Sequence, residues 1–347
     1  MIYNASSIAR AADQQIDAID YYVKEVSSGY DELIFETSVR SPAAQILFEE
    51  QPMIERSDAA HANRYLIKSI DHGKATVTVK CQVDIDDWKQ DFYTSFVPTP
   101  PSGSSRVSPQ NVVSQIMPTG WSLFPVSIPV FGTLPPEVVA MENVTPLDIL
   151  DNLRELYPGL TYRFFAIEKM IQLTRPASGQ DTGAFVSLDQ NLRANYYKGK
   201  STSLITRLYA EGKDGLTFAS INDGKPYVDR TAYKDGAIIS GFWKATEYTD
   251  ASDLLSATQA RLALLSVPER SFDIDVTMTD IQQQYPLFSV VRISDDTIPA
   301  PMYQGVTIRV AERWIHPDHP QNNKIILSTA PARIQSQVAG LIKAMGG

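Results

Sequence analysis

The 347-residue chain has one cysteine and four histidines. Cys81 therefore has no partner for an intrachain disulfide, and a thiolate zinc cluster is excluded. No apolar run approaches the roughly 20 residues that cross a bilayer, so no membrane-spanning segment is expected. The N-terminus MIYNASSIARAADQQ lacks an apolar segment followed by a cleavage site, so no signal peptide is expected. Basic runs are also missing: no four consecutive residues are Lys or Arg, and net charge is −9. Tight phosphate binding needs clustered cations, so adhesive nucleic-acid binding is disfavoured, whereas an acidic wall past which DNA slides is compatible.

The usual catalytic signatures are missing as well. There is no GxSxG elbow, no HExxH helix and no GxxxxGK[ST] loop. His316 and His319, with Glu312 nearby, are the one clustered set of potential metal ligands. They fall in the polar connection HPDHPQNNK, and a proline-rich hairpin loop accounts for that wording better than a metal site does. His61 and His72 have no visible partner. Carboxylates cluster at Asp84, Asp86 and Asp87 and at Asp295-Asp296, where they read as strand-end and turn residues. A glycosidase pair would need two of them set across a cleft. No catalytic residue and no cofactor is expected.

What the chain does have is strand-and-loop character, with 22 prolines, 16 tyrosines and 43% hydrophobic residues. Alternation marks strands at Tyr30–Val39, at Tyr65–Ile70 and through Thr76–Ile85. In the last, Val77, Val79, Cys81, Val83 and Ile85 share one face, which makes Cys81 a small core residue. Residues 6–19 place Ile8, Ala12, Ile16 and Ile19 at helical spacing. Residues 97–105, VPTPPSGSS, read as a linker. Ser108-Pro109 opens a short helix ended by Pro118 and Gly120, and 121–136 is irregular. Thr145-Pro-Leu-Asp148 is a capping-box start for a helix with Leu147, Leu150, Leu153 and Tyr157 buried. A hairpin follows, from Leu160–Phe165 and Met170–Thr174. Gly179–Gly183 reads as a loop and Leu188–Tyr209 as strand. A second helix spans 251–265 with Asp250 as N-cap, strands follow at 271–278, 287–293, 306–314 and 325–328, and residues 335–345 read as a closing helix.

The stretch from Ser201 to Thr231 reads as a β-meander, with strands 204–210 and 216–221 and turns at Glu211–Gly215 and Asn222–Lys225. Its wording, TRLYAEGKDGL followed by Asn222, Gly224 and Tyr227, resembles the hub proteins of bacteriophage tails, the tail-associated or prophage tail endopeptidase group. The Tyr30–Val39 strand, the Ser108–Trp121 segment, Thr145–Pro176 and the 251–265 helix with its following strand are similar in position.

The resemblance implies a mainly β fold with an α+β insertion. Its parts would be a discontinuous first β-barrel (1–96 and 186–245), an inserted helix-and-hairpin domain (97–185), and a connecting helix with a second barrel (246–347). For residues 6–19 it implies loops and early strands rather than the helix that the spacing suggests. Thr206, Arg207, Tyr209, Gly212, Gly215, Asn222, Gly224 and Tyr227 become a structural signature. Lys213 and Asp214 are then exposed turn residues.

The implied function is a non-enzymatic homotrimeric ring at the virion tail tip, assembled in the host cytoplasm. It would cap the tail tube, contact distal tail and tape measure proteins, hold a spike, fibre or lysin, and let DNA pass. Many relatives carry a peptidoglycan-cleaving or fibre-like extension after the hub region, which here ends near Gly347, so a short hub or a trimmed chain is expected. The rival expectations are a cell-wall hydrolase and a carbohydrate-binding adhesion module.

Overall fold

The computed structural model describes residues 2–4, 14–26, 30–55, 62–125, 132–157, 160–174, 181–187, 192–200, 204–231, 236–267, 269–276, 285, 287, 289–294 and 308–329. Strands dominate. In Thr76–Val83, Val77, Val79, Cys81 and Val83 are buried while Lys80 is exposed, the period-2 pattern of a half-buried strand. Glu32–Ser38 pairs with it along its whole length, from Glu32 opposite Gln82 to Ser38 opposite Thr76. Asn63–His72 completes the hairpin.

These strands belong to one 13-stranded sheet that runs through most of the molecule. Its path is 192–200, 269–276, 324–328, 309–315, 18–26, 32–38, 76–83, 63–72, 52–55, 2–4 and 14–16, with 181–187 and 290–294 joined at the side of 309–315. The first and last chain segments therefore meet: Arg309–Ile315 pairs antiparallel with Ala18–Val26. Among the described residues the path does not close on itself, so the mainly β class stands while no closed barrel is formed.

Between these strands lies the helix-and-hairpin segment. Pro146–Leu156 starts at Thr145 with a reciprocal capping box to Asp148, and Pro109–Gln115 starts the same way at Ser108 with Asn111. The buried side of the longer helix is Ile149, Leu150 and Leu153, followed by Tyr157; Leu147 packs only at the margin. The Thr161–Phe165 and Met170–Thr174 hairpin adds Tyr162, Phe164, Ile171 and Leu173 to the same core as the first sheet strands. Trp88, Trp121 and Phe164 meet edge to face there, with ring centroids 5.5 to 6.1 Å apart.

A third unit is a small sheet of Arg207–Glu211 flanked by Tyr227–Asp229 (antiparallel) and Ser240–Lys244 (parallel). The helix Ala251–Leu265, capped by Asp250, covers its inner face through Leu254, Thr258 and Leu262. The meander expected for 201–231 is corrected here. Leu216–Ile221 is not a strand: Ala219–Ile221 is a 3-10 turn, and only Phe218 of the alternating set is fully buried. Tyr227–Asp229 takes the neighbour position instead.

Two further expectations change, and a third is not described. Gln14–Ile16 and Ala18–Val26 are strands, so the helical spacing of Ile16 and Ile19 does not describe them; residues 6–13 lie outside the described residues. Asp181–Ser187 is a strand where 179–183 was read as loop, and Leu192–Lys200 pairs with Glu269–Val276. The 335–345 helix lies outside the described residues. No helix among the described residues is long and apolar enough to cross a membrane.

Candidate functional site

The signature residues of 206–227 come together, and each is engaged by its own neighbourhood. Thr206 is buried; its hydroxyl donates to the Ala237 carbonyl at 2.7 Å and accepts from the Ile239 amide at 2.7 Å, tying the two strand entries together. Arg207 clamps Asp229 across the strand pair with two 2.7 Å bonds. This bidentate bond raises the guanidinium pKa above its ordinary value and lowers the carboxyl. The same guanidinium lies 3.9 Å from the Tyr227 ring centroid, and Tyr227 meets Tyr209 at 5.1 Å.

The glycines and the asparagine serve the turns. A Cβ on Gly212 would sit 2.7 Å from the Tyr248 carbonyl oxygen, a backbone atom that cannot swing away. Gly215 and Gly224 have φ of +79° and +76°, the left-handed region that glycine adopts without penalty. The Asn222 amide donates to the carbonyls of Lys225 (3.0 Å) and Tyr227 (2.9 Å). Lys213 and Asp214 are exposed at the turn. The arrangement is a loop braced by its own side chains and turn glycines.

His316 is buried against the sheet. Its ring stacks on Tyr22 at 4.8 Å, Tyr22 stacks on Trp314 at 5.1 Å, and Asp20 Oδ1 lies 3.5 Å from Nδ1. Burial lowers the imidazole pKa, and the Asp20 charge partly opposes this. His319 caps the 3-10 turn Pro320–Asn322. No group of three or more His, Cys, Asp or Glu that could hold a metal occurs among the described residues.

The acidic set at 84–87 is divided among separate partners. Asp84 pairs with Arg64 at 2.9 Å, Asp86 with Lys89 at 2.7 Å, and Asp87 accepts from the Trp121 indole (2.9 Å) and Lys169 (3.0 Å). Burial raises the Asp84 carboxyl, whereas the indole bond leads in lowering that of Asp87. Each carboxylate has its own structural partner. Asp295, Asp296 and His61 lie outside the described residues. Burial raises the Cys81 thiol pKa far above its ordinary value, so it stays a protonated core group.

Sequence reasoning missed the most unusual cluster. Glu25, 1% exposed, receives both Arg163 and Arg313, and Asp31 lies beside Arg163 at 3.9 Å. Asp31 also accepts from the Val26 amide at 3.2 Å, and Arg313 donates to the Tyr285 carbonyl at 3.2 Å. The four charges come from three distant parts of the chain: the first long strand with its turn, the inserted hairpin, and a C-terminal strand. One signal was available. Tyr21, Val23 and Glu25 share the inward side of their strand, and a carboxylate at such a position requires buried cations.

With this geometry in view, known structures define the class. The chain has the fold of phage tail proteins. Prophage tail protein gp18 from Listeria monocytogenes EGD-e matches with TM-score 0.63 at 13% identity, covering 97% of each chain. The prophage MuSo2 43 kDa tail protein from Shewanella oneidensis matches with TM-score 0.61 at 13% identity, covering 89% of this chain and 93% of that one. The tail protein from Neisseria meningitidis MC58 follows with TM-score 0.56 at 9% identity, covering 95% and 98%.

More particularly, residues 180–338 match the family model described as prophage endopeptidase tail, a span that contains the whole 206–227 signature. No curated protein matches the chain in sequence. The resemblance to phage tail proteins thus stands, carried by the family match over 180–338 and by the fold across the chain.

Proposed function

We propose that this protein is a non-enzymatic structural component of a phage or prophage tail: a hub that forms a homotrimeric ring at the tail tip, on the end of the tail tube. The observation that carries the reading is the near end-to-end likeness to the Listeria prophage tail protein, 97% of each chain. The family match over residues 180–338 supports its tail-protein part.

In this reading each protomer contributes two tube-like β domains, formed around the two ends of the long sheet, with the helix-and-hairpin segment inserted between them. Three protomers then approximate the sixfold symmetry of a tail tube. Distal tail and tape measure proteins lie on one side, and a spike, fibre or lysin on the other. A net charge of −9 suits a lumen that DNA crosses, because a cationic wall would retain phosphate. The ring assembles in the host cytoplasm and is delivered as part of the virion.

The residues suit a scaffold: Thr206, Arg207 and Asn222 hold neighbouring strands and turns, and the 84–87 carboxylates are each held by a cation or an indole. Electron microscopy and light scattering of the purified protein test the assembly; threefold rings are expected, and a strict monomer at high concentration that binds no tail component would refute it. Incubation with purified peptidoglycan tests the chemistry. No fragment release is expected, and turnover abolished by H316A or D295N would establish the hydrolase instead.

A further inference from the structure

The small sheet of 207–211, 227–229 and 240–244 has one face under the Ala251–Leu265 helix and one turned outward. Register decides which side chains share the outward face, because residues opposite one another in adjacent strands point the same way. Tyr209 stands opposite Tyr227 on one side and Phe242 on the other, so three rings form one row across three strands. Their neighbours along the strands point inward: Leu208, Ala210 and Val228 are buried, and a Cβ on Gly241 would run into Ile205. Phe242, 64% exposed, is the most exposed large apolar side chain among the described residues, and Tyr209 and Tyr227 are partly exposed.

Polar rows flank the rings on both sides. On one side Asp229, Arg207 and Ser240 stand in register, with Arg207 clamped on Asp229 and laid over the Tyr227 ring. On the other, Glu211 stands opposite Lys244. These are two cations and two anions, so the face is neutral on a chain of net charge −9. Hydrogen-bond donors and acceptors thus bracket an apolar strip one ring wide.

That pattern selects a ligand chemistry. A hexopyranose presents a face of C–H groups, which packs on an aromatic ring, and a rim of hydroxyls that both donate and accept. Adjacent strands lie about 4.8 Å apart, so the row spans roughly 10 Å, the length of two linked hexopyranoses. A polyanion would require unpaired cations, and the carboxylate of Asp229 already occupies Arg207. A protein partner needs more ground. Strands of five, three and five residues turn about half their side chains outward, well short of the roughly 20–30 residues a side of a stable protein interface.

We propose that the outward face of the 207–211, 227–229 and 240–244 sheet binds a neutral glycan, with Tyr209 and Phe242 stacked on consecutive pyranose rings and Arg207, Asp229 and Ser240 hydrogen-bonded to their hydroxyls. Arg207 is already oriented by Asp229 and the Tyr227 ring, so little side-chain freedom is lost on binding. The site stands on the geometry of a single chain and goes beyond the proposed assembly, which does not require it.

Isothermal titration calorimetry of the full chain with chitohexaose and with maltohexaose, both uncharged, tests it. At least one should bind, with an affinity that changes less than about twofold between low and high salt. F242A should weaken binding about tenfold with an unchanged thermal melt, because the ring is exposed, and F242W should restore it. Binding of neither hexasaccharide overturns the proposal, as does binding that F242A leaves unchanged. Preference for hexagalacturonate with a steep salt dependence overturns it as well. Light scattering on the same variants separates the two readings. An oligomer that F242A dissociates makes this face a contact between copies, which ends the glycan site and keeps the assembly; hexasaccharide binding by a chain that forms no rings does the reverse.

Discussion

Arg313 donates to the carboxylate of Glu25 across 288 residues of sequence, and the two are direct partners in adjacent strands. One bond thereby reports that the two ends of the long sheet have met. Breaking a buried pair by removing one partner leaves an uncompensated charge and costs about 3–5 kcal/mol. E25Q should split urea unfolding into two transitions, the earlier one being loss of the 18–26/309–315 pairing. Fluorescence of Trp314, in the 309–315 strand, and of Trp88, in the core under the 76–83 strand, distinguishes the two steps; coincident single transitions would contradict it.

Asp31 gives a pH signature with a definite sign. Burial raises its carboxyl to about 6; Arg163 and Arg313 oppose the rise, Glu25 adds to it, and the Val26 amide bond lowers it. Tyr65, raised by the same burial and charges, stays protonated throughout the range. A folded-state value above the unfolded one near 3.8 means that the folded state binds the extra proton between them. The resulting stability is complete below pH about 4 and is lost as pH rises through about 6. Stability from chemical denaturation should therefore fall from pH 5 to pH 7, by an amount on the order of 1 kcal/mol. D31N should flatten that slope.

Gly212 and Gly224 separate two reasons for glycine. G212A forces a Cβ against the Tyr248 carbonyl oxygen, so the loop must move away from the entry to the 251–265 helix, at about 1–3 kcal/mol. G224A meets open space and bears only the left-handed φ, about 1 kcal/mol. Thermal melts of the two variants should rank in that order.

How much was legible in the sequence followed how local the cause was. The Thr145 capping box, the Ser108-Pro109 helix start, the Asp250 cap and the 32–38, 63–72 and 76–83 strands were readable, because neighbours within a few residues determine them. Residues 216–221 are not a strand although Leu216, Phe218 and Ser220 alternate, because the backbone there bonds to itself: the Ile221 amide donates to the Phe218 carbonyl and the Gly224 amide to that of Ala219. The pairing of 192–200 with 269–276, and of 18–26 with 309–315, is long-range and leaves no local pattern. Of the candidate site, the wording of 206–227 could be singled out locally, but Glu25, Arg163 and Arg313 could not, since their meaning exists only once three segments are brought together.

Cys81 offers a clean reporter of the core under the 76–83 strand. Its thiol is buried and held protonated, so a thiol reagent should modify it only when that core unfolds. Modification kinetics should follow the later of the two urea transitions in E25Q; labelling in the earlier one would mean that the 18–26/309–315 pairing and the core around Cys81 unfold as a single unit.

The measurement that bears most directly on the central claim is the symmetry of the purified protein in electron micrographs, with mass by light scattering on the same sample. The hub account predicts threefold rings with a central opening and the mass of three chains. A monomeric mass at high concentration, with no ring and no binding to tail components, would contradict it.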